Sequence, residues 1–72
     1  MEKWLEKRYI RQAALELWEG GDNSGTIDAL MTEQGMTEYQ ASTFLESNHV
    51  AIRNESRKLN EWLDGGGEIE GV

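Results

Sequence analysis

The spacing of apolar residues along the chain predicts α-helices throughout. Apolar side chains recur at intervals of three and four residues, the period of one helix face, at Ile10, Ala13, Ala14, Leu17 and Trp18. Residues that favour helix surround this stripe, the chain contains no proline, and Gly20 and Gly21 stand just after it. We therefore predict a first helix over residues 2–19 that ends at the two glycines.

The same spacing predicts a second helix after a short loop. Residues 20–25 are glycine, aspartate, asparagine and serine, which favour turns. Ile27, Leu30 and Met31 then repeat the helical interval, with Thr26 placed to act as the N-cap. Gly35 stands where a residue in the left-handed conformation usually ends a helix.

A capping box predicts the start of the third helix. Thr37 and Gln40 have the spacing at which the threonine side chain accepts from a free backbone N–H and the glutamine reaches back to the cap. The inward-facing residues of this segment are predicted to be Met36, Ala41, Phe44 and Leu45.

Two alternatives remain for the chain beyond the third helix. Residues 47–49, Ser-Asn-His, favour a break, after which a fourth helix runs to about residue 63, although one continuous helix over residues 37–63 is also compatible with the pattern. The apolar side of this segment is predicted at Ile52, Leu59, Trp62 and Leu63.

We predict an all-α fold, a small three- to four-helix bundle with a helix–turn–helix-like core, as a single domain over residues 1–64. Residues 65–72 are predicted to form a flexible, acidic, glycine-rich tail.

Composition limits the size and type of this domain. With 72 residues the chain can bury only a modest core, and we expect its three tryptophans to supply much of that core. There is no cysteine for a disulfide, and no apolar run approaches the ~20 residues of a membrane span. Because the first eleven residues are charged throughout, we expect no signal peptide and a cytoplasmic location.

Charge is unevenly distributed along the chain. Residues 12–52 contain seven acidic residues and no lysine or arginine, whereas residues 1–11 carry a net charge of +2 and residues 53–63 a net charge of +1. An acidic middle segment repels nucleic acid and favours a protein partner with a basic surface, although the same charge could serve solubility alone.

Part of the chain resembles the N-terminal DNA-binding module of TetR-family repressors, over about residues 9–47. The similarity is carried by residues 9–18 (YIRQAALELW), residues 26–30 (TIDAL) and residues 35–37 (GMT). The resemblance implies a helix–turn–helix topology, with the third helix as recognition helix, and it implies a transcription regulator. A three-helix unit similar to ubiquitin-associated domains is an alternative interpretation of the same stretch.

Two functional hypotheses follow. The first is a small non-enzymatic regulator, such as an inhibitor or a transcription modulator of the kind found in phages and mobile elements, that binds a protein. Its predicted contacts are Met36, Glu38, Tyr39 and Glu46. The second is a DNA-binding regulator, for which a homodimer would supply two recognition helices. Its predicted contacts are Gln40, Thr43, Arg8, Arg11, Arg53, Arg57 and Lys58.

Catalysis has no support in the sequence. His49 is the sole histidine, and no metal-binding or phosphate-cradling motif is present. We therefore expect a protein that is not an enzyme and that needs no cofactor and no metal.

Overall fold

The computed structural model describes residues 1–64, and the side chains of residues 1–61, as four α-helices. They are α1 (Lys3–Trp18), α2 (Ser24–Gln34), α3 (Glu38–Ser47) and α4 (His49–Asp64). The all-α prediction is therefore confirmed. The predicted tail, residues 65–72, lies outside the described residues.

All four helices contribute to one hydrophobic core. Its buried side chains are Tyr9, Ala13, Ala14, Leu30, Ala41, Leu45 and Ile52. Helix α1 packs along α4 in the same direction, because Arg11 lies near Glu55 and Trp18 lies near Asn60 further along both helices. Helix α3 packs against α2 and α4 and so completes the bundle.

The buried stripe of α1 is displaced from the predicted one. Tyr9 is 1% exposed and occupies the centre of the core, whereas Leu17 is 42% exposed. Trp4 is largely exposed, and Trp18 is half-buried outside the core, so the expectation that the tryptophans supply much of the core is wrong for these two. The side chain of Trp62 lies outside the described residues. Tyr9 precedes Ala13 by four residues, so it lies on the same side of the helix as the buried alanines.

The N-cap of α2 lies three residues before the predicted one. Asn23 occupies the N-cap position, and Thr26 is the third residue of the helix with a fully buried side chain. The loop before it is held by Asp22, whose carboxylate accepts from the backbone N–H and the hydroxyl of Ser24. These two hydrogen bonds lower the pKa of Asp22. The prediction that Thr26 caps the helix is therefore wrong.

The predicted signals around α3 are confirmed. Gly35 ends α2 with φ of 69° and ψ of 22°, in the left-handed region. Thr37 and Gln40 form both hydrogen bonds of the capping box. Asn48 separates α3 from α4, so the alternative of one continuous helix is wrong. A three-residue turn, residues 35–37, thus joins α2 to α3.

The hydroxyl of Tyr9 connects α1 to the end of α2. It donates to Glu33 Oε1 at 2.6 Å and accepts from Gln34 Nε2 at 3.2 Å. Burial and the bond to the Glu33 carboxylate raise the pKa of Tyr9 above its ordinary value of 10.0, because both disfavour the phenolate.

Replacing Tyr9 with phenylalanine is expected to lower the free energy of unfolding by about 1 kcal/mol, since exposed Glu33 and Gln34 can bind water instead. Because the folded-state pKa is raised, the unfolded chain loses this proton first. The contribution of Tyr9 is complete below pH 10.0 and declines as the pH rises through the raised value. Thermal melts followed by circular dichroism on both sides of this pH should show that Tyr9→Phe loses less stability at alkaline pH than the wild-type chain does. An equal loss in both proteins would contradict the assignment.

Candidate functional site

The exposed side of α3 presents one aromatic side chain among small polar and acidic ones. Ala41 and Leu45 turn into the core, which leaves the opposite side of the helix in solvent. We call this side the acidic face of α3; its residues, all exposed, are Glu38, Tyr39, Ser42, Thr43 and Glu46. Tyr39 is 80% exposed, the largest value among the exposed large hydrophobic side chains of the described residues.

The charged side chains of α3 and of neighbouring α2 are all acidic. Neither α2 nor α3 contains a lysine or arginine, and Glu38 and Glu46 lie on either side of Tyr39 along the helix. Glu38 stands in the first turn, where a negative charge is favourable to the helix dipole. The capping box holds the first turn of α3, so the backbone that carries Tyr39 is well defined. The arrangement suits attraction of a positively charged surface.

The structure brings three of the four predicted protein-binding residues together on this face. Glu38, Tyr39 and Glu46 are exposed there. Met36 instead lies in the turn before α3, is half-buried and packs against the core. Its primary role is therefore to hold the turn against the bundle, with part of its surface left at the edge of the face.

The residues of the DNA-binding hypothesis are divided among three helices. On α3, Thr43 is exposed, but Gln40 Oε1 accepts from the backbone N–H of Thr37 at 2.9 Å. This hydrogen bond turns the Gln40 amide back toward the helix start and occupies the acceptor that a bidentate contact to adenine would use.

The five predicted cations lie on α1 and α4, and three of them contact polar groups of the protein. Arg11 lies 4.0 Å and Lys58 3.4 Å from the same carboxylate, that of Glu55. Arg57 donates to Asn54 Oδ1 at 3.0 Å. Arg8 and Arg53 are exposed.

No protein-family model, curated protein or solved structure matches this chain.

A groove between α1 and α4 was not anticipated from the sequence. It has a volume of about 410 Å³ and is lined by Arg11, Ala14, Leu15, Glu55 and Leu59. Leu15 is 44% exposed there, so the groove is a partly apolar surface bordered by an ion pair. A sequence signal was present, since Leu15 and Arg11 lie four residues apart beside the buried stripe of α1.

The described residues hold no group that could bind a metal ion, and the single histidine contacts the backbone. His49 Nδ1 lies 3.0 Å from the backbone oxygen of Glu46, which places the imidazole at the junction of α3 and α4. Among the residues described, no three histidine, cysteine, aspartate or glutamate side chains lie close enough to hold a metal ion. No helix within residues 1–64 is long and apolar enough to cross a bilayer.

Proposed function

We propose that this protein is a small non-enzymatic binding module that attaches, through the acidic face of α3, to a partner protein with a basic surface. In this role it is an inhibitor or a transcription modulator that acts in the cytoplasm. The observation that carries the proposal is Tyr39, 80% exposed on a rigidly capped helix between two carboxylates.

The chemistry of Tyr39 suits an anchor in a protein interface. A tyrosine brings a large apolar ring and a polar hydroxyl while losing few rotamers, and tyrosines are enriched among residues that dominate binding energy. Ser42 and Thr43 are small, so a partner surface can approach the ring closely from the C-terminal side. Glu38 and Glu46 then supply charge complementarity to lysine or arginine, which raises association rate and selectivity.

The same face is poorly suited to DNA. Phosphate contacts by cations supply most of the non-specific affinity of DNA-binding proteins, and α3 contributes two carboxylates in their place. A helix–turn–helix DNA-binding regulator similar to TetR-family repressors is nevertheless the alternative proposal. It is supported by the three-residue turn between α2 and α3 with its left-handed Gly35. Both proposals use the same pair of helices, α2 and α3. They differ in whether the exposed side of α3 binds a protein or DNA.

Photo-crosslinking at position 39 tests the proposal. A photoreactive phenylalanine derivative replaces Tyr39, and in a matched control it replaces Val50, which is 59% exposed on α4. In cells that express the chain, we expect a discrete protein adduct at position 39 that is absent at position 50. The partner identified in this way is then purified and titrated against the variants described next.

For that purified partner, Tyr39→Ala is expected to weaken binding by at least about tenfold, because truncation of an interface anchor costs about 2 kcal/mol. Glu38→Lys with Glu46→Lys should weaken it further and reduce its dependence on salt. Glu19→Lys is the control, since it reverses an exposed acid at the end of α1, away from the face. Equal adducts at both positions, or unchanged affinity in the α3 variants, would refute the proposal. Adducts with DNA alone would favour the alternative.

A further inference from the structure

The exposed side of α1 carries the opposite charge to the acidic face of α3. We call it the basic face of α1; its residues, all exposed, are Lys3, Trp4, Lys7, Arg8 and Arg11. Trp4 is 62% exposed, and its indole N–H donates to Glu2 Oε1 at 2.6 Å. This hydrogen bond satisfies the polar group of the indole and leaves the ring as an exposed apolar surface on a helix side that also carries four cations.

The two faces have the same spacing along their helices. Residues 3, 4, 7, 8 and 11 of α1 and residues 38, 39, 42, 43 and 46 of α3 follow one pattern with a constant offset. In each helix an aromatic residue follows one charged residue directly, and a second charged residue follows seven positions later. In a parallel pairing, each edge of one face lies over the opposite edge of the other, so only residues along the middle of a face meet their counterparts. Arg11, which also lies 4.0 Å from Glu55 of its own chain, then meets Glu46.

The aromatic residues meet in the same register. Trp4 lies opposite Tyr39, and each of these rings is more than half exposed in the single chain. Aromatic pairs attract beyond the area that they bury, and a cation close to either ring adds to the attraction. At the edges, Arg8 lies over the side of α3 that carries Glu38 and Ser42. Lys3 and Lys7 lie over the opposite side, where Thr43 is small enough to leave them room.

We propose that the occupant of the basic face of α1 is the acidic face of α3 from a second copy of this chain. One interface would cover Trp4 and Tyr39, the most exposed aromatic residues described, and would pair the cations of one copy with the carboxylates of the other. This inference is independent of the proposed partner protein. If both hold, the self-complex covers Tyr39 and the partner competes with it.

The net charge of the chain works against this contact. Two copies with a net charge of −7 repel each other at long range, whereas the contact itself depends on opposite charges at short range. At about 0.1 M salt the screening length is about 10 Å, which weakens the long-range repulsion more than the contact. Self-association is therefore expected to be weak, and at about 1 M salt, where screening extends to about 3 Å, it should fall.

A charge-swap experiment tests the interface. The basic-face variant is Lys3→Glu with Arg8→Glu, and the acidic-face variant is Glu38→Lys with Glu46→Lys. Each should lose self-association by at least about tenfold, because like charges then face each other. An equimolar mixture of the two should regain it, because the reversed faces are complementary to each other. Because the contact joins two different faces, it can continue from copy to copy. The dissociation constant of the contact is therefore measured by sedimentation velocity at about 0.1 M salt.

Matched controls separate the interface from overall charge. Arg53→Glu with Arg57→Glu changes the net charge as much as the basic-face variant does, but on the exposed side of α4. Glu19→Lys with Asp28→Lys serves in the same way for the acidic-face variant. The proposal is overturned if the controls lose self-association equally, or if the mixture of the two variants stays monomeric. It is also overturned if the wild-type chain is monomeric at about 1 mM, since weak specific contacts are populated at that concentration. No partner protein is present, so the result does not depend on the proposed function.

Discussion

Replacing Leu30 with alanine is expected to lower the free energy of unfolding by about 3 kcal/mol. Leu30 has an exposed fraction of 0% at the centre of a core that all four described helices share, so truncation leaves a cavity and loses its packing contacts. A domain of this length has a total stability of about 4–10 kcal/mol, so the loss is a large share of it. The melting temperature should fall by roughly 10–25 °C.

Met31 provides a matched control for this prediction. It is the next residue on the same helix and is 38% exposed, so Met31→Ala should cost less than about 1 kcal/mol. Urea unfolding followed by circular dichroism compares the two variants under one condition. Similar midpoints for both would show that α2 does not pack as the structure has it.

Replacing Glu16 with alanine is expected to cost about 2–3 kcal/mol, although glutamate on a helix surface is usually replaceable. Glu16 Oε1 accepts from the backbone N–H of Thr26 at 3.2 Å and from its hydroxyl at 2.9 Å. The carboxylate thus sits at the N-terminus of α2, where a negative charge also interacts favourably with the helix dipole. Without it, a fully buried threonine loses its partner for two donors.

The neighbouring glycine shows how closely this carboxylate approaches α2. A side chain at Gly25 would overlap Glu16 Oε2, so the absence of a Cβ there lets the carboxylate reach Thr26. Glu16→Gln should be intermediate, since it keeps an acceptor oxygen and loses the charge. Glu19→Ala, three residues away and exposed, should change stability by less than about 0.5 kcal/mol.

A double-mutant cycle checks that the cost of Glu16→Ala comes from this contact. Thr26→Val removes the hydroxyl at nearly constant volume and should cost about 1 kcal/mol alone. In the Glu16→Ala background its cost should shrink, with a coupling of about 1 kcal/mol measured by urea unfolding. Strictly additive costs would mean that the two residues do not interact.

Local sequence signals predicted the helices of this protein well. The capping box at Thr37 and Gln40, the left-handed Gly35 and the break at Asn48 each act within a few residues. Their hydrogen bonds and backbone conformations need no contact with another helix, so the sequence predicted the capping box and Gly35 outright. It favoured the break at Asn48 but left one continuous helix open. The exposure of Tyr39 followed from the same local pattern, because Ala41 and Leu45 determine which side of α3 faces inward.

Contacts between helices decided the remaining features. Tyr9 enters the core because Glu33 and Gln34, at the far end of α2, satisfy its hydroxyl. Glu16 on α1 replaces a local cap for α2, which begins eight residues later. Such pairs depend on how helices lie against each other, which apolar periodicity alone does not specify.

The basic face of α1 and the acidic face of α3 depend partly on the sequence and partly on the packing of the bundle. The charges and their spacing are written in the sequence, and the helical period places each set on one side of its helix. Only the tertiary structure decided that Trp4 remains in solvent, since a tryptophan on α1 could equally have entered the core. Burial is a property of the whole packed bundle, because each helix contributes only the side that its neighbours leave room to cover.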